Sequence, residues 1–242
     1  MRQILNKLIY IFFTRGVIRA IFRWKIFSLS SFKIITSAKK NNVFPKTIID
    51  IGANKGQFSE ACFQLFNKVK IVAIEPDKKI SKILEKNLSN RNIHIINKVV
   101  SSYNGTVNFH VNEDSQVSSV LQIGKDRKKF FSKSKVKSIK KLTVCTLDKI
   151  IIKNIKKPIL IKIDTQGLEY EILKGGKQFL SKTKWVILEV PLKKLYLGQK
   201  NFDDLNNLMK KNNFSFTTIL NFHNVPKSNE IMEIDVLYTK NQ

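Results

Sequence analysis

Apolar positions along this chain follow two rhythms that take turns. From Thr47 a β-branched run, "TIIDI", gives way to "GQFSEACFQLF", whose apolar residues return at helical spacing. "KIVAI" then precedes "KKISKILEKNL", in which Ile80, Ile83, Leu84 and Leu88 share one face, and "IHII" reads as a third strand. Short strands alternating with amphipathic helices predict a parallel, doubly wound α/β sheet, because parallel neighbours need a crossover and a helix supplies it. The rhythm breaks at "VVSSYNGTVNFHV", two strand-like runs about Tyr103-Asn104-Gly105, where the Asn-Gly pair predicts a hairpin. Asn112 to Lys141 reads as a polar, very basic loop or mobile flap. Order resumes at "TLDKIII", with strand "ILIKI", one helix over "LEYEILKGGKQFL", strand "KWVILEV", helix "FDDLNNLMKK" and two closing strands, "FSFTTIL" and "MEIDVLYT". A hairpin-like pair at the end makes the sheet mixed.

Residues 1–44 differ in pattern. "ILNKLIYIFFTRGVIRAIFRWKIF" interrupts its apolar residues with Asn6, Lys7, Arg15, Arg19 and Arg23, so no run approaches the ~20 residues of a membrane span. Helical spacing puts Arg15, Arg19 and Arg23 on one face. That suits a basic amphipathic helix against an anionic bilayer, or a helix that packs on the domain and shows its arginines to water. Pro45, after the polar "KKNNVF", marks the boundary between this helical extension (1–44) and the main domain (45–242).

A chain of 242 residues with 43% hydrophobic content builds one α/β domain and a short appendage. The net charge of +26 raises nucleic acid or an anionic membrane as a partner. Only six residues are arginine, however, and lysine is spread over every segment, which weakens that inference because arginine is the better fork for phosphate. Cys62 and Cys145 have no paired spacing, so neither a disulfide framework nor a zinc site is expected, and a reducing, cytoplasmic setting is the default.

The chemistry concentrates at "TIIDIGANKGQF". Gly52-Ala53-Asn54-Lys55-Gly56 is a glycine turn between strand and helix, but it lacks the middle glycine of a dinucleotide fingerprint. Asp50 ends the strand where a pyrophosphate would be repelled, so the turn suits a cationic ligand. S-adenosylmethionine carries an ammonium and a sulfonium. Asp50, directly or through water, would hold its amino group, the backbone of Gly52, Ala53 and Asn54 would pass its methionine part, and Glu75, before Pro76 at the end of the second strand, would accept its ribose hydroxyls. Asp50 as a helix cap and Glu75 as a surface acid are the plain alternatives.

In order along the chain, "DIGANKGQFS", "AIEPD", "LEKNL", "VSSYNGTVNFHV", "SSVL", "TLDKI", "LIKIDTQGLEYEILKGG", "ILEV" and "DVLYTK" resemble the FkbM family of methyltransferases from about Pro45 onward. The resemblance implies a class I, Rossmann-like fold with a seven-stranded mixed sheet, S-adenosylmethionine as cofactor, and methyl transfer to hydroxyls of sugars, polysaccharide precursors or secondary metabolites.

Ligands in such sheets lie beyond the carboxyl ends of the strands. Asp164, after "ILIKI", is therefore the candidate general base for a hydroxyl acceptor, with a helix N-cap as its structural alternative. Glu189, ending "WVILEV", is a second base or an orienting group. Lys162, inside a buried strand, calls for an acidic partner such as Glu189, Glu169 or another acid nearby, and reads as structural. His94, His110 and His223 share no ligand spacing, and no metal site is expected. Ser118 and Ser119 match the family's serine pair, with either a substrate contact or a turn as their role. Two other functions compete. A nucleic-acid methyltransferase acting on exocyclic amines would carry an Asp/Asn-Pro-Pro-aromatic turn where this chain has "DTQG", which leaves ribose methylation of RNA open. A non-catalytic binding module is countered by the intact Asp50, Gly52, Gly56 and Glu75. A small-molecule or glycan acceptor ranks first; peripheral membrane contact through residues 1–40 stays open beside packing of that segment on the domain, and the oligomeric state is not readable from the sequence.

Overall fold

The computed structural model describes residues 18, 21–22, 26–66, 68–131 and 135–241. Arg15, Arg19 and Arg23, on which the amphipathic-helix expectation rests, lie outside the described residues. No helix among the described residues is long and apolar enough to cross a membrane.

Seven strands form the main sheet: β1 (Thr47–Ile51), β2 (Lys70–Ile74), β3 (Ile93–Ile96), β7 (Ile159–Ile163), β8 (Trp185–Pro191), β9 (Phe214–Asn224) and β10 (Ile231–Lys240), in the spatial order β3-β2-β1-β7-β8-β10-β9. The first five are parallel, while β10 runs antiparallel to both β8 and β9. This is the doubly wound, mixed α/β sheet that the alternating strands and helices predict. The order reverses after β1, so the crevice opens where β1 and β7 diverge into their loops.

β1 and β7 are buried along their whole length, as expected for central strands covered on both faces. Their two charged members, Asp50 and Lys162, face each other in register. One face of the sheet is covered by α1 (Leu29–Lys40) and α2 (Gln57–Leu65), which bury Ile35, Ala38, Phe58 and Cys62 against Ile48, Ile71 and Leu160. The other is covered by α5 (Glu169–Lys174), α6 (Lys177–Ser181) and α7 (Phe202–Lys211), whose Ile172, Leu180, Leu205 and Met209 meet Ile49, Ile161 and Val186. The part of the N-terminal extension that is described thus packs into the core through α1.

The structure departs from the sequence-based expectation in three places. "VVSSYNGTVNFHV" is not a hairpin: β4 (Val99–Ser101) and β5 (Gly105–Asn112) do not pair with each other, because β6 (Val136–Thr146) lies between them in a separate sheet of order β4-β6-β5. The segment from Asn112 to Lys141 is also not one loop. It holds a 3-10 turn at Ser115–Val117, helix α4 (Lys125–Phe130) and the first half of β6. Its strand was hidden because the lysines of "VKSIKK" occupy mostly exposed positions and leave little apolar alternation to read. Finally, "LEYEILKGGKQFL" is two helices, broken at Gly175-Gly176. There the backbone passes so close to Ser101 that a Cβ on Gly175 would stand 2.3 Å from the Ser101 carbonyl oxygen.

Candidate active site

The carboxyl ends of β1, β2, β7 and β8, with β10 and the end of β9, enclose one cavity of about 1120 Å³. Residues from α1, the Ser115–Val120 segment and α4 form its remaining walls.

On its first side stands the glycine turn. Gly52 has φ +83, and a Cβ there would come 1.8 Å from the carbonyl oxygen of Asp164, so this turn and the end of β7 can abut only with glycine. Asn54 takes the left-handed φ of +48 and donates its backbone N–H to Glu75 Oε2 (2.9 Å), while Asp77 N–H donates to Oε1 (2.9 Å). Burial pushes the Glu75 carboxyl up to about 7 although these two N–H groups favour its charge. Gly52, Ala53, Asn54, Glu75 and Pro76 all line the cavity.

Asp50 and Gly56 do not line it. Asp50 is fully buried behind the turn, where Oδ2 accepts from Ser59 Oγ (2.7 Å) and Oδ1 has no hydrogen-bond partner. Burial raises its pKa and Lys162 opposes that shift. Gly56, at φ +94, caps α2 and packs against Leu88.

The second side is a row of acids. Ile163 is in register with Leu188, which sets Asp164 beside Glu189, and Glu189 is directly opposite Asp235. Strands lie about 4.8 Å apart, so the row crosses the sheet at its carboxyl edge in equal steps. Burial alone would raise Asp164, but the Lys162 ammonium, 2.7 Å from Oδ2, and a hydrogen bond from Gln166 outweigh it and hold the carboxyl below its ordinary range. The same acids, Asp164 and Asp50, keep Lys162 above its usual value against burial. Glu189 shifts the other way: burial, then Asp164, Glu233 and Asp235, push it well up. The two neighbouring carboxyls are therefore shifted in opposite directions, Asp164 towards the charged form and Glu189 towards the protonated one.

Gln166, in the left-handed region at φ +59, clips this pair. Its Nε2 donates to Asp164 Oδ1 (3.0 Å) and to Glu189 Oε2 (2.8 Å). Its Oε1 accepts from the Tyr196 hydroxyl (2.7 Å), and its backbone carbonyl accepts from Ser119 Oγ (2.7 Å). Farther along, His223 Nε2 lies 3.4 Å from Asp235 Oδ2, and that contact raises the imidazole pKa.

Of the sequence-predicted residues, the structure brings Asp164, Glu189, Gly52, Ala53, Asn54, Glu75 and Pro76 to one cavity. Lys162 has the acidic partner its burial required, Asp164. Ser118 lines the cavity and accepts from Asn112 N–H (3.0 Å), and Ser119 holds Gln166. His110 bonds the Val120 carbonyl. Among the described residues no cluster of His, Cys, Asp and Glu can hold a metal. Both thiols are buried, and burial raises them, which makes poor nucleophiles. Sequence reasoning missed Gln166, Tyr196 and Arg127. The one available signal was that Gln166 sits between two candidate acids and a glycine.

The profile of the methyltransferase FkbM domain matches residues 50–216. The 2-O-methyltransferase NoeI of Sinorhizobium fredii is 24% identical over 160 residues, a match that takes in 63% of this chain and 66% of that protein's length, just under two thirds. Among solved structures, an S-adenosylmethionine-dependent methyltransferase from Clostridium acetobutylicum is similar at a TM-score of 0.50 and 11% identity, over 98% of this chain and 99% of that one. The ribosomal protein L11 methylase of Lactobacillus delbrueckii also gives 0.50 at 11% identity, over 88% and 79%.

Proposed function

The chain belongs to the FkbM methyltransferase family, and from that membership we propose that it methylates a hydroxyl oxygen on a saccharide, glycolipid or related metabolite, with S-adenosylmethionine as methyl donor. The observation that carries the oxygen specificity is the Asp164–Glu189 pair, clipped together by Gln166 and shifted in opposite directions, beside the glycine turn in one cavity.

The residues of the turn suit this cofactor. Gly52, Ala53 and Asn54 line the cavity, Glu75 offers lone pairs beyond the two it gives to backbone N–H groups, and Asp50 Oδ1 lies buried and unpartnered behind the turn. Bound there, S-adenosylmethionine supplies an electrophilic methyl on a sulfonium. Gly52 to Asn54 and Glu75 would hold the amino-acid and ribose parts.

Asp164 receives the proton. On transfer of the methyl group the acceptor hydroxyl would become strongly acidic, so even a carboxylate held below the usual range, such as Asp164, would take its hydrogen. Gln166 and Lys162 fix the direction of Asp164, and Glu189, pushed towards its protonated form, would donate to an acceptor oxygen. The products are a methyl ether, S-adenosylhomocysteine and one proton passed to solvent.

The 2-O-methyltransferase activity named for the Sinorhizobium relative supports an oxygen acceptor at low identity. The test is transfer of labelled methyl from S-adenosylmethionine into parallel saccharide-lipid and RNA extracts. Label recovered as an acid-stable O-methyl sugar is expected. Label released with RNA nucleosides would replace this reading by ribose methylation.

A further inference from the structure

Arg127 is the one arginine in the lysine-rich stretch from Asn112 to Lys141, and the fold turns it inward. It is 8% exposed and lines the cavity from α4. Its guanidinium lies against the rings of Phe131 (5.0 Å) and Tyr196 (5.5 Å), in a cluster with Val225 and Met232 nearby. Nη1 donates to Gln166 Oε1 at 3.3 Å, and Nε is buried with no partner. Among the described residues no carboxylate forms an ion pair with it.

A buried guanidinium without a counter-ion is expensive, and the apolar rings around it strengthen any ion pair it does form. Glu233, in the same cavity, is the natural internal candidate. Yet burial pushes that carboxyl up to about 7 against the pull of Arg127, so it is not a fixed anion. The two rings and Gln166 settle the plane of the guanidinium, which lines the cavity with no carboxylate partner among the described residues. A guanidinium fork carries parallel N–H groups, the pattern that matches two oxygens of an oxyanion.

We propose that Arg127 anchors an anion subsite in the acceptor part of the cavity, and that the acceptor is an acidic saccharide whose carboxylate or phosphate is held by the guanidinium while its hydroxyl faces Asp164. This rests on the reading of the cavity as the place of methyl transfer to a saccharide.

The full chain, with S-adenosylhomocysteine present and ionic strength fixed, is titrated with glucuronate, glucose 1-phosphate and glucose. At least one charged sugar is expected to bind tenfold or more tightly than glucose. Preference for glucuronate identifies a carboxylate site and preference for glucose 1-phosphate a phosphate site. Arg127→Gln should abolish the preference. Arg127→Lys, which keeps the charge and the fold but not the fork, should lose at least fivefold. Equal preference in wild type and Arg127→Lys, or no preference for either charged sugar in the wild type, would overturn the proposal. S-adenosylmethionine affinity, measured on the same samples, separates the two readings: its absence in the wild type would defeat the methyltransferase account without touching the charged-against-neutral comparison.

Discussion

The two sides of the cavity are built on different principles. On the β1–β2 side a short, local turn does the work. Glu75 is held by the backbone N–H groups of Asn54 and Asp77, and the lining residues there, Ile51 to Asn54, Gln57, Phe58 and Ile74 to Pro76, come from two short stretches of chain. On the β7–β8–β10 side, polar side chains from distant parts of the chain hold one another: Gln166 joins Asp164, Glu189, Tyr196 and Arg127. The first design suits a fixed ligand that must bind in one pose. The second suits chemistry, because neighbouring groups there set one another's protonation. Lys162 is the bridge, since it neutralises Asp164 in the cavity and Asp50 behind the turn.

If the sides are separable in this way, Asp164→Asn has the largest effect and confines it to one of them. Turnover should fall by about 10²–10⁴-fold, the usual worth of a positioned proton acceptor, in an assay of label transfer to the active extract. Lys162→Met should instead damage both sides. Removing the cation leaves the buried Asp50 and the half-buried Asp164 uncompensated, and stability in a denaturant titration should drop by about 3 kcal/mol. An effect below 1 kcal/mol would mean that Lys162 does not link the halves.

Glu75→Gln acts on the cofactor side alone. It should weaken S-adenosylmethionine binding by about tenfold, from the loss of charge-assisted hydrogen bonds worth about 1.5 kcal/mol or more, and leave turnover at saturating cofactor near wild type. The same residue gives a pH signature. Its carboxyl is raised to about 7 in the folded protein from 4.5, so between those values the folded chain holds the extra proton. Its contribution to stability therefore falls as pH rises from 4.5 to about 7. Affinity for a cationic cofactor, which favours the ionised form, should rise over the same window and level off above it. Glu75→Gln should flatten that rise in calorimetric titrations across pH.

The smallest expected change is that of Tyr196→Phe. It removes one hydrogen bond to Gln166, about 0.5–1.5 kcal/mol, and should lower turnover several-fold with cofactor affinity unchanged.

The contrast between the sides also decides what was legible beforehand. Asp50, the glycine turn and Glu75 could be found because their spacing along the chain is their spacing in space, one strand and one crossover apart. Asp164 and Glu189 could be placed at strand ends, but nothing in "DTQG" discloses that Gln166 takes a left-handed conformation and reaches both acids. Tyr196 and Arg127 join it across 30 and 39 residues, distances at which side-chain partners leave no periodic trace. Arg127 was further masked by the lysines around it, and β6 by the same run of charge. Burial misled in the opposite direction at Asp50, whose place at a strand end marks the site although its side chain lies behind the cavity wall.

The separation of binding from chemistry is tested most directly by titrating Asp164→Asn and the wild type with S-adenosylmethionine in parallel by calorimetry. A dissociation constant within threefold of wild type is predicted, because Asp164 belongs to the acceptor side and the turn is held by its own backbone. A weakening of tenfold or more would contradict the account by showing that the cofactor depends on the acid row it is held to be independent of.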